Sequence, residues 1–348
     1  MTVRHKALAI LTATVMAVAG EISFGQTGAT PEITQAAELL QANPASRVNR
    51  TNLASLYYMQ GIAAAGNGQH GAAIQAYRAG LDIAIGQATK LAPGDPVVQV
   101  LRYGAGYSLY SIRQYEQSAA MLEPLAAEFL SLPRARYLLG LSLMRSPRLE
   151  QWRHGLDVLG NLAAESSPPL RDLALRTGAR WAYLRGIELS IDGRFDSAAA
   201  LADAFLKNAP VDTLGEDETI QHFLYAAGYF YRNAGNGAAA AFAYEKLYQL
   251  NEEYTLANGL TLSAVLANAY YQAALDVLPQ GDPTILRQAI KWLNDAEETS
   301  SVSSADVNHG KAIAYMKLGP SEARNAAREV EAMRRKDVAY FRGINRAR

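Results

Sequence analysis

The sequence predicts an all-α fold, a right-handed superhelix (solenoid) of about seven helix-turn-helix repeats, and three observations carry that prediction. From about Pro31 onward Ala, Leu and Tyr recur at three- and four-residue spacing, with Gly, Asn and Pro at the breaks. No stretch of useful length alternates apolar and polar residues as a strand would. A small residue in mid-helix is followed by Gly seven residues later and Ala twelve later: Gly61, Gly68 and Ala73; Gly186, Gly193 and Ala198; Gly228, Gly235 and Ala240.

Taken from the N-terminus, the first element is an address. Arg4, His5 and Lys6 precede an uncharged run from Ala7 to Ala19, and Ala17-Val18-Ala19 and Ser23-Phe24-Gly25 are two small-x-small cleavage patterns. Residues 1–25 are expected to be a cleaved signal peptide, because the run falls short of the roughly 20 residues a bilayer needs. A periplasmic or secreted location follows, with no membrane span. The chain has no cysteine, so disulfides, thiolate metal sites and a lipoprotein anchor are excluded, and an exported fold must hold by packing alone. Residues 30–50 read as an N-terminal capping helix and linker, with Thr30 as N-cap and Pro31 at the first helical position.

The repeat array is expected over residues 51–320. Its physics explains its residues. Gly or Ala in the first helix lets a second helix approach, the next Gly ends that first helix in the left-handed conformation, and the Ala sits at the crossing. Gly106 with Tyr115 and Ser118, Gly140 with Trp152 and Gly155, Ala269 with Ala289, and Ala312 with Gly319 and Ala323 are weaker copies. The pattern resembles the tetratricopeptide repeat, a helix-turn-helix unit of about 34 residues. Only one spacing matches: the seven anchors, Gly61 to Ala312, lie 45, 34, 46, 42, 41 and 43 residues apart, so longer helices or inserted turns at 210–217 and 277–283 absorb the rest. Residues 321–348 form a basic C-terminal helix or tail, with eight basic residues against four acidic. A solvated terminal cap is one reading, peripheral contact with an anionic surface the other.

In such arrays the first helices line an inner wall. Aligned on the anchors, the position three residues before holds Tyr58, Tyr103, Tyr137, Tyr183 and Tyr225, five of seven units. The position one after adds Tyr107, Tyr229 and Tyr270, and Arg134, Arg180, His222 and Arg232 fall on the same helical faces. The excess of 19 Tyr over 8 Phe and 3 Trp is thus concentrated on one expected groove. Tyrosine offers a broad face and a hydroxyl, and arginine a fork for carboxylates. Packing between helices is the competing reading of the same columns.

The composition narrows the function. With 33 Lys and Arg against 33 Asp and Glu, a large phosphate-binding surface for nucleic acid is not expected. Mean hydropathy is −0.08 with 49% hydrophobic residues, as in a folded soluble chain. The five histidines lack metal-site spacing, no phosphate loop, GxSxG or strand-linked GxGxxG occurs, and Gly66-Asn67-Gly68 and Gly235-Asn236-Gly237 read as inter-helix turns. No enzyme activity, cofactor or metal is expected. The resemblance implies a scaffold that binds an extended polypeptide in the Tyr/Arg-lined groove, in cell-envelope assembly or export. A polysaccharide-binding export accessory is the alternative, and an α/α-toroid glycan lyase or hydrolase a more distant one.

Overall fold

The computed structural model describes residues 30–86, 90–128, 132–256, 260–298, 302–333 and 335. The expected signal peptide and much of the basic tail lie outside them. The chain is all-α: among the described residues the one β contact is an isolated bridge between Thr255 and Thr261, and no helix is long and apolar enough to cross a membrane. The helices gather into two compact units, Met1–Leu162 and Ala163–Arg348.

In the first unit α1 (Pro31–Ala42) is capped by the Thr30 hydroxyl, which accepts from the Ile33 amide, with Pro31 opening the helix. Its Ile33 and Leu40 pack with Leu53. Ser46 caps α2 (Arg47–Gly66), so the hairpins begin four residues before the expected start at 51. The others are α3 (His70–Ile85), α4 (Pro96–Ser111), α5 (Tyr115–Glu128), α6 (Pro133–Leu143) and α7 (Leu149–Glu165), within which the first unit ends at Leu162. Neighbours pack in sequence, α2 on α3, α3 on α4, α4 on α5 and α5 on α6. Arg50 is fully buried beneath them, its guanidinium donating to the carbonyls of Ile83 and Pro44, each at 2.8 Å. The last turn of α3 has carbonyls without intrahelical partners, and its negative dipole end suits a cation.

The second unit holds α8 (Leu170–Ile191), α9 (Phe195–Leu206), α10 (Glu218–Asn233), α11 (Gly237–Leu250), α12 (Leu262–Val277), α13 (Pro283–Glu298) and α14 (Ser304–Leu318), with residues 323–333 also helical. The inserted turns expected at 210–217 and 277–283 contain short 3-10 helices, Val211–Leu214 and Leu278–Gln280. All seven anchors fall in first helices: Gly61 in α2, Gly106 in α4, Gly140 in α6, Gly186 in α8, Gly228 in α10, Ala269 in α12 and Ala312 in α14.

The glycines seven residues after the anchor behave as the repeat requires: Gly68, Gly193 and Gly235 have φ of 74°, 72° and 75°. In the second hairpin that position is Arg113, also left-handed at φ 64°. The anchors themselves admit large side chains. A Cβ on Gly61 would strike the Tyr77 ring, one on Gly106 would lie 2.6 Å from Leu122, and one on Gly228 2.5 Å from the Tyr244 ring. Hairpin four departs from this pattern. The place of Tyr77 and Tyr244, sixteen residues past the anchor, is taken by the small Ala202, and Gly186 meets Phe230 of α10 instead, while Gly178 receives Phe205 of α9.

Candidate functional site

Two contacts recur at matching repeat positions and organise the tyrosines. The ring three residues before the anchor leans on the ring sixteen after it. Tyr58 lies 6.0 Å from Tyr77 at 41° in hairpin one, and Tyr225 lies 5.9 Å from Tyr244 at 47° in hairpin five. The second contact joins successive hairpins. His70, at the start of α3, meets Tyr107 of α4 edge-on at 6.1 Å, and Phe195, at the start of α9, meets Tyr229 of α10 at 6.0 Å. Both are tilted or edge-to-face pairings that aromatic quadrupoles favour.

In the first unit Tyr58 and Tyr103 are half-buried, and burial raises both hydroxyl pKa values. Each also responds to its neighbours: Tyr103 raises Tyr58, while Tyr103 is lowered by Arg134 and raised by Tyr107. Tyr58, Tyr103, Tyr107 and Arg134 therefore form one electrostatically connected group. Tyr107 is 48% exposed, Tyr137 is half-buried, and Arg134 is exposed with no ion pair or hydrogen bond among the described residues.

In the second unit His222, Tyr225, Tyr229 and Arg232 follow one another on α10 at spacings of three and four, one stripe about 15 Å long at 1.5 Å per residue. His222 and Arg232 are exposed, Tyr225 and Tyr229 half-buried. The Arg232 guanidinium stands over the Tyr229 ring at 5.9 Å, a cation–π arrangement. From α8, Tyr183 is half-buried and Arg180 exposed, and neither the Arg180 nor the Arg232 side chain makes an ion pair or hydrogen bond among the described residues. Tyr270 differs from the other tyrosines. It is only 9% exposed, and burial, followed by the nearby Glu245 and Asp295 carboxylates, drives its pKa upward. It is a packing residue of α12 and contributes little surface.

One ring of this site is invisible to the repeat register. Tyr254 lies in the stretch after α11, 6.0 Å from Tyr225 and 6.1 Å from His222, and its pKa is raised by burial and then by Tyr225 and Tyr183. No column alignment on helices could find a residue that belongs to a connection. A second group also lies outside the aligned columns. Asn268, Gln272 and Asp276, four residues apart on one face of α12, line a cleft of about 290 Å³ with Arg232, Gly235 and Gly237. Their spacing is plain in the sequence, yet no other repeat carries polar residues at all three of those positions relative to its anchor.

The Gly235-Asn236-Gly237 segment is the turn between α10 and α11, as expected. Asn236 caps α11 by accepting from the Ala239 amide at 3.1 Å, and the Gly237 amide donates to Asp276 Oδ2 at 3.0 Å. The turn's anion-attracting amide is thus already occupied by a carboxylate of the chain itself. No group of three or more His, Asp or Glu side chains that could hold a metal ion occurs among the described residues.

No protein-family model matches the chain, and no curated protein matches it either. Among solved structures it is similar to a tetratricopeptide repeat protein from Parabacteroides merdae ATCC 43184, at 15% identity over 89% of this chain and 99% of that one, with a TM-score of 0.32. It is also similar to YrrB, described as a tetratricopeptide repeat protein with an unusual peptide-binding site, at 18% identity over 63% and 93% with a TM-score of 0.30. A third is the TPR2AB domain of yeast Sti1, described as a pHSP90 complex, at 12% identity over 75% and 98% with a TM-score of 0.28. These likenesses concern the helical-hairpin build.

Proposed function

We propose that the protein is an exported scaffold that binds an extended polypeptide across its Tyr/Arg faces, in the assembly or export machinery of the cell envelope. The observation that carries the reading is the α10 stripe: half-exposed rings of Tyr225 and Tyr229, held from behind by Tyr244 and Phe195, beside the exposed cation Arg232, with Arg180 exposed on α8 and neither arginine side chain ion-paired among the described residues. Rings fixed in this way present area at little further entropic cost, as paratope and hot-spot tyrosines do. The roughly 15 Å from His222 to Arg232 matches about five residues of extended chain at 3.3 Å each. The export part rests on the basic start and apolar run of residues 1–25.

A glycan ligand is the second reading, favoured by the open face of Tyr107, which is 48% exposed. Selection of a displayed random-peptide library on the whole protein tests the first reading, with an Arg180→Ala, Arg232→Ala double variant beside it. Neither arginine is buried or ion-paired among the described residues, so the variant keeps its fold. Enriched peptides should bind the variant at least about tenfold more weakly, the loss of one to two charge-assisted hydrogen bonds. Absence of enriched peptides, or equal binding by both proteins, rejects the polypeptide reading, and a glycan array then tests the second. Cell fractionation with N-terminal sequencing tests export: a mature start near residue 20 or 26 in the envelope fraction supports it, and an intact Met1 in the cytoplasm rejects it.

A further inference from the structure

We propose that the cleft between α10 and α12 is a subsite for a primary carboxamide, the side chain of a Gln or Asn in the bound polypeptide; this rests on the polypeptide reading above. The cleft is about 290 Å³ and is lined by Arg232, Gly235, Gly237, Asn268, Gln272 and Asp276, large enough for one polar side chain. Its two charges have opposite sign and do not meet: Arg232 and Asp276 form no ion pair with each other or with any described residue. A cationic ligand gains Asp276 but faces Arg232, and an anionic one gains Arg232 but faces Asp276, so each attraction is offset by a like-charge contact. A neutral group carrying both a donor and an acceptor satisfies the two sides at once.

The orientation of each wall supports this. Asp276 is held by the Gly237 amide through Oδ2 at 3.0 Å, which leaves Oδ1 to accept from an incoming N–H. Asn268 donates its own amide to the Ala264 carbonyl at 2.8 Å, so its Oδ1 is a second acceptor. Arg232 is steadied over Tyr229 and supplies the donors for a carbonyl oxygen. Gln272 makes no hydrogen bond among the described residues and can serve either side. A carboxamide has two N–H donors and a two-lone-pair acceptor, the complement of this set, whereas Glu or Asp brings acceptors only and Lys donors only. The cleft adjoins the α10 stripe through Arg232, so a chain lying on Tyr225 and Tyr229 reaches it without a break.

The test exploits a one-group inversion. Asp276→Asn keeps an oxygen to accept from Gly237 and so keeps the turn, but it presents an NH2 donor to the cleft where the carboxylate presented an acceptor. A peptide selected on the wild-type protein is compared with its Gln→Glu and Gln→Lys versions by titration calorimetry, on wild type and on Asp276→Asn. Wild type should enrich peptides sharing one Gln or Asn and bind the Glu version about tenfold more weakly; Asp276→Asn should reverse that order. Peptides enriched without a carboxamide, a wild-type preference for Glu, or an order unchanged by Asp276→Asn each overturn the subsite while leaving the polypeptide reading intact. If no peptide is enriched by wild type, the polypeptide reading falls and takes the subsite with it.

Discussion

Gly61→Ala is expected to destabilise the first unit although alanine is the better helix former. Placed in an open helix, the change stabilises by about 1 kcal/mol. Here the new methyl would overlap the Tyr77 ring, and the ring has nowhere to retreat. Tyr77 is 3% exposed, and on its other side it lies so close to the α4 backbone that a Cβ on Gly104 would stand 2.6 Å from its Cζ. One ring is therefore clamped between glycines of two successive first helices. Overpacking of this kind costs about 1–3 kcal/mol and with a rigid ring sits at the upper end, so after the propensity gain a net loss of about 1–2 kcal/mol remains.

Gly71→Ala supplies the internal control. Gly71 lies in α3 with nothing within 4 Å of its added Cβ, so the same substitution should raise stability by up to about 1 kcal/mol. Urea unfolding of both variants, followed by helical circular dichroism with midpoint and slope fitted together, measures the difference. Opposite signs are expected. A Gly61→Ala protein as stable as wild type, or both variants shifting the same way, would refute the clamp.

Arg113→Gly should stabilise by about 1 kcal/mol in the same assay, because it removes a left-handed non-glycine residue at φ 64° on an exposed turn. Arg50→Met should cost roughly 1–3 kcal/mol, since the partly buried carbonyls of Pro44 and Ile83 lose a charged donor; a loss below 1 kcal/mol would show that water replaces it. Asp217 caps α10 and accepts from Arg176 at 2.6 Å. Burial alone would raise its carboxyl pKa, but the hydrogen bonds from Arg176 and Thr219 and the Arg176 charge outweigh it and hold the pKa below the usual value. A depressed carboxylate contributes stability above its unfolded pKa that is lost as pH falls through the folded one. The stability gap between wild type and Asp217→Asn should therefore be present at pH 7 and vanish as pH falls below the ordinary carboxylate range; a gap that persists there would assign the effect to capping geometry alone.

The hairpins were legible because their signals are local. A glycine that must be left-handed, an alanine at a crossing and a cap residue each report a backbone constraint set within one repeat, which is why Gly68, Gly193 and Gly235 and the cap Thr30 lie where the spacing predicts. What lies between repeats was not legible. Gly186 faces Phe230 of the following hairpin, a choice made by the size of Ala202, and Tyr254 reaches Tyr225 from a connection. Both depend on how one unit meets the next, and a column alignment treats every unit as independent.

The tyrosine columns show why groove and packing readings compete so evenly in the sequence. The residue three before the anchor, Tyr58 or Tyr225, leans on the buried ring of Tyr77 or Tyr244, so its packing role is real; it is nevertheless only half-buried, so part of the side chain stays at the surface. An aliphatic residue could fill the inner contact but would present nothing polar outward, and a serine would do the reverse. Tyrosine is selected where both demands fall on one side chain. Hairpin six separates the two demands. Leu266 occupies the column and is 5% exposed, and Tyr270 beside it is turned into the core. The exposed polar residues of α12 are instead Asn268, Gln272 and Asp276, on a different face of the helix, where they line the cleft with Arg232. On the polypeptide proposal, a ligand that reaches from the α10 rings to this cleft changes from apolar to amide-bearing along its length.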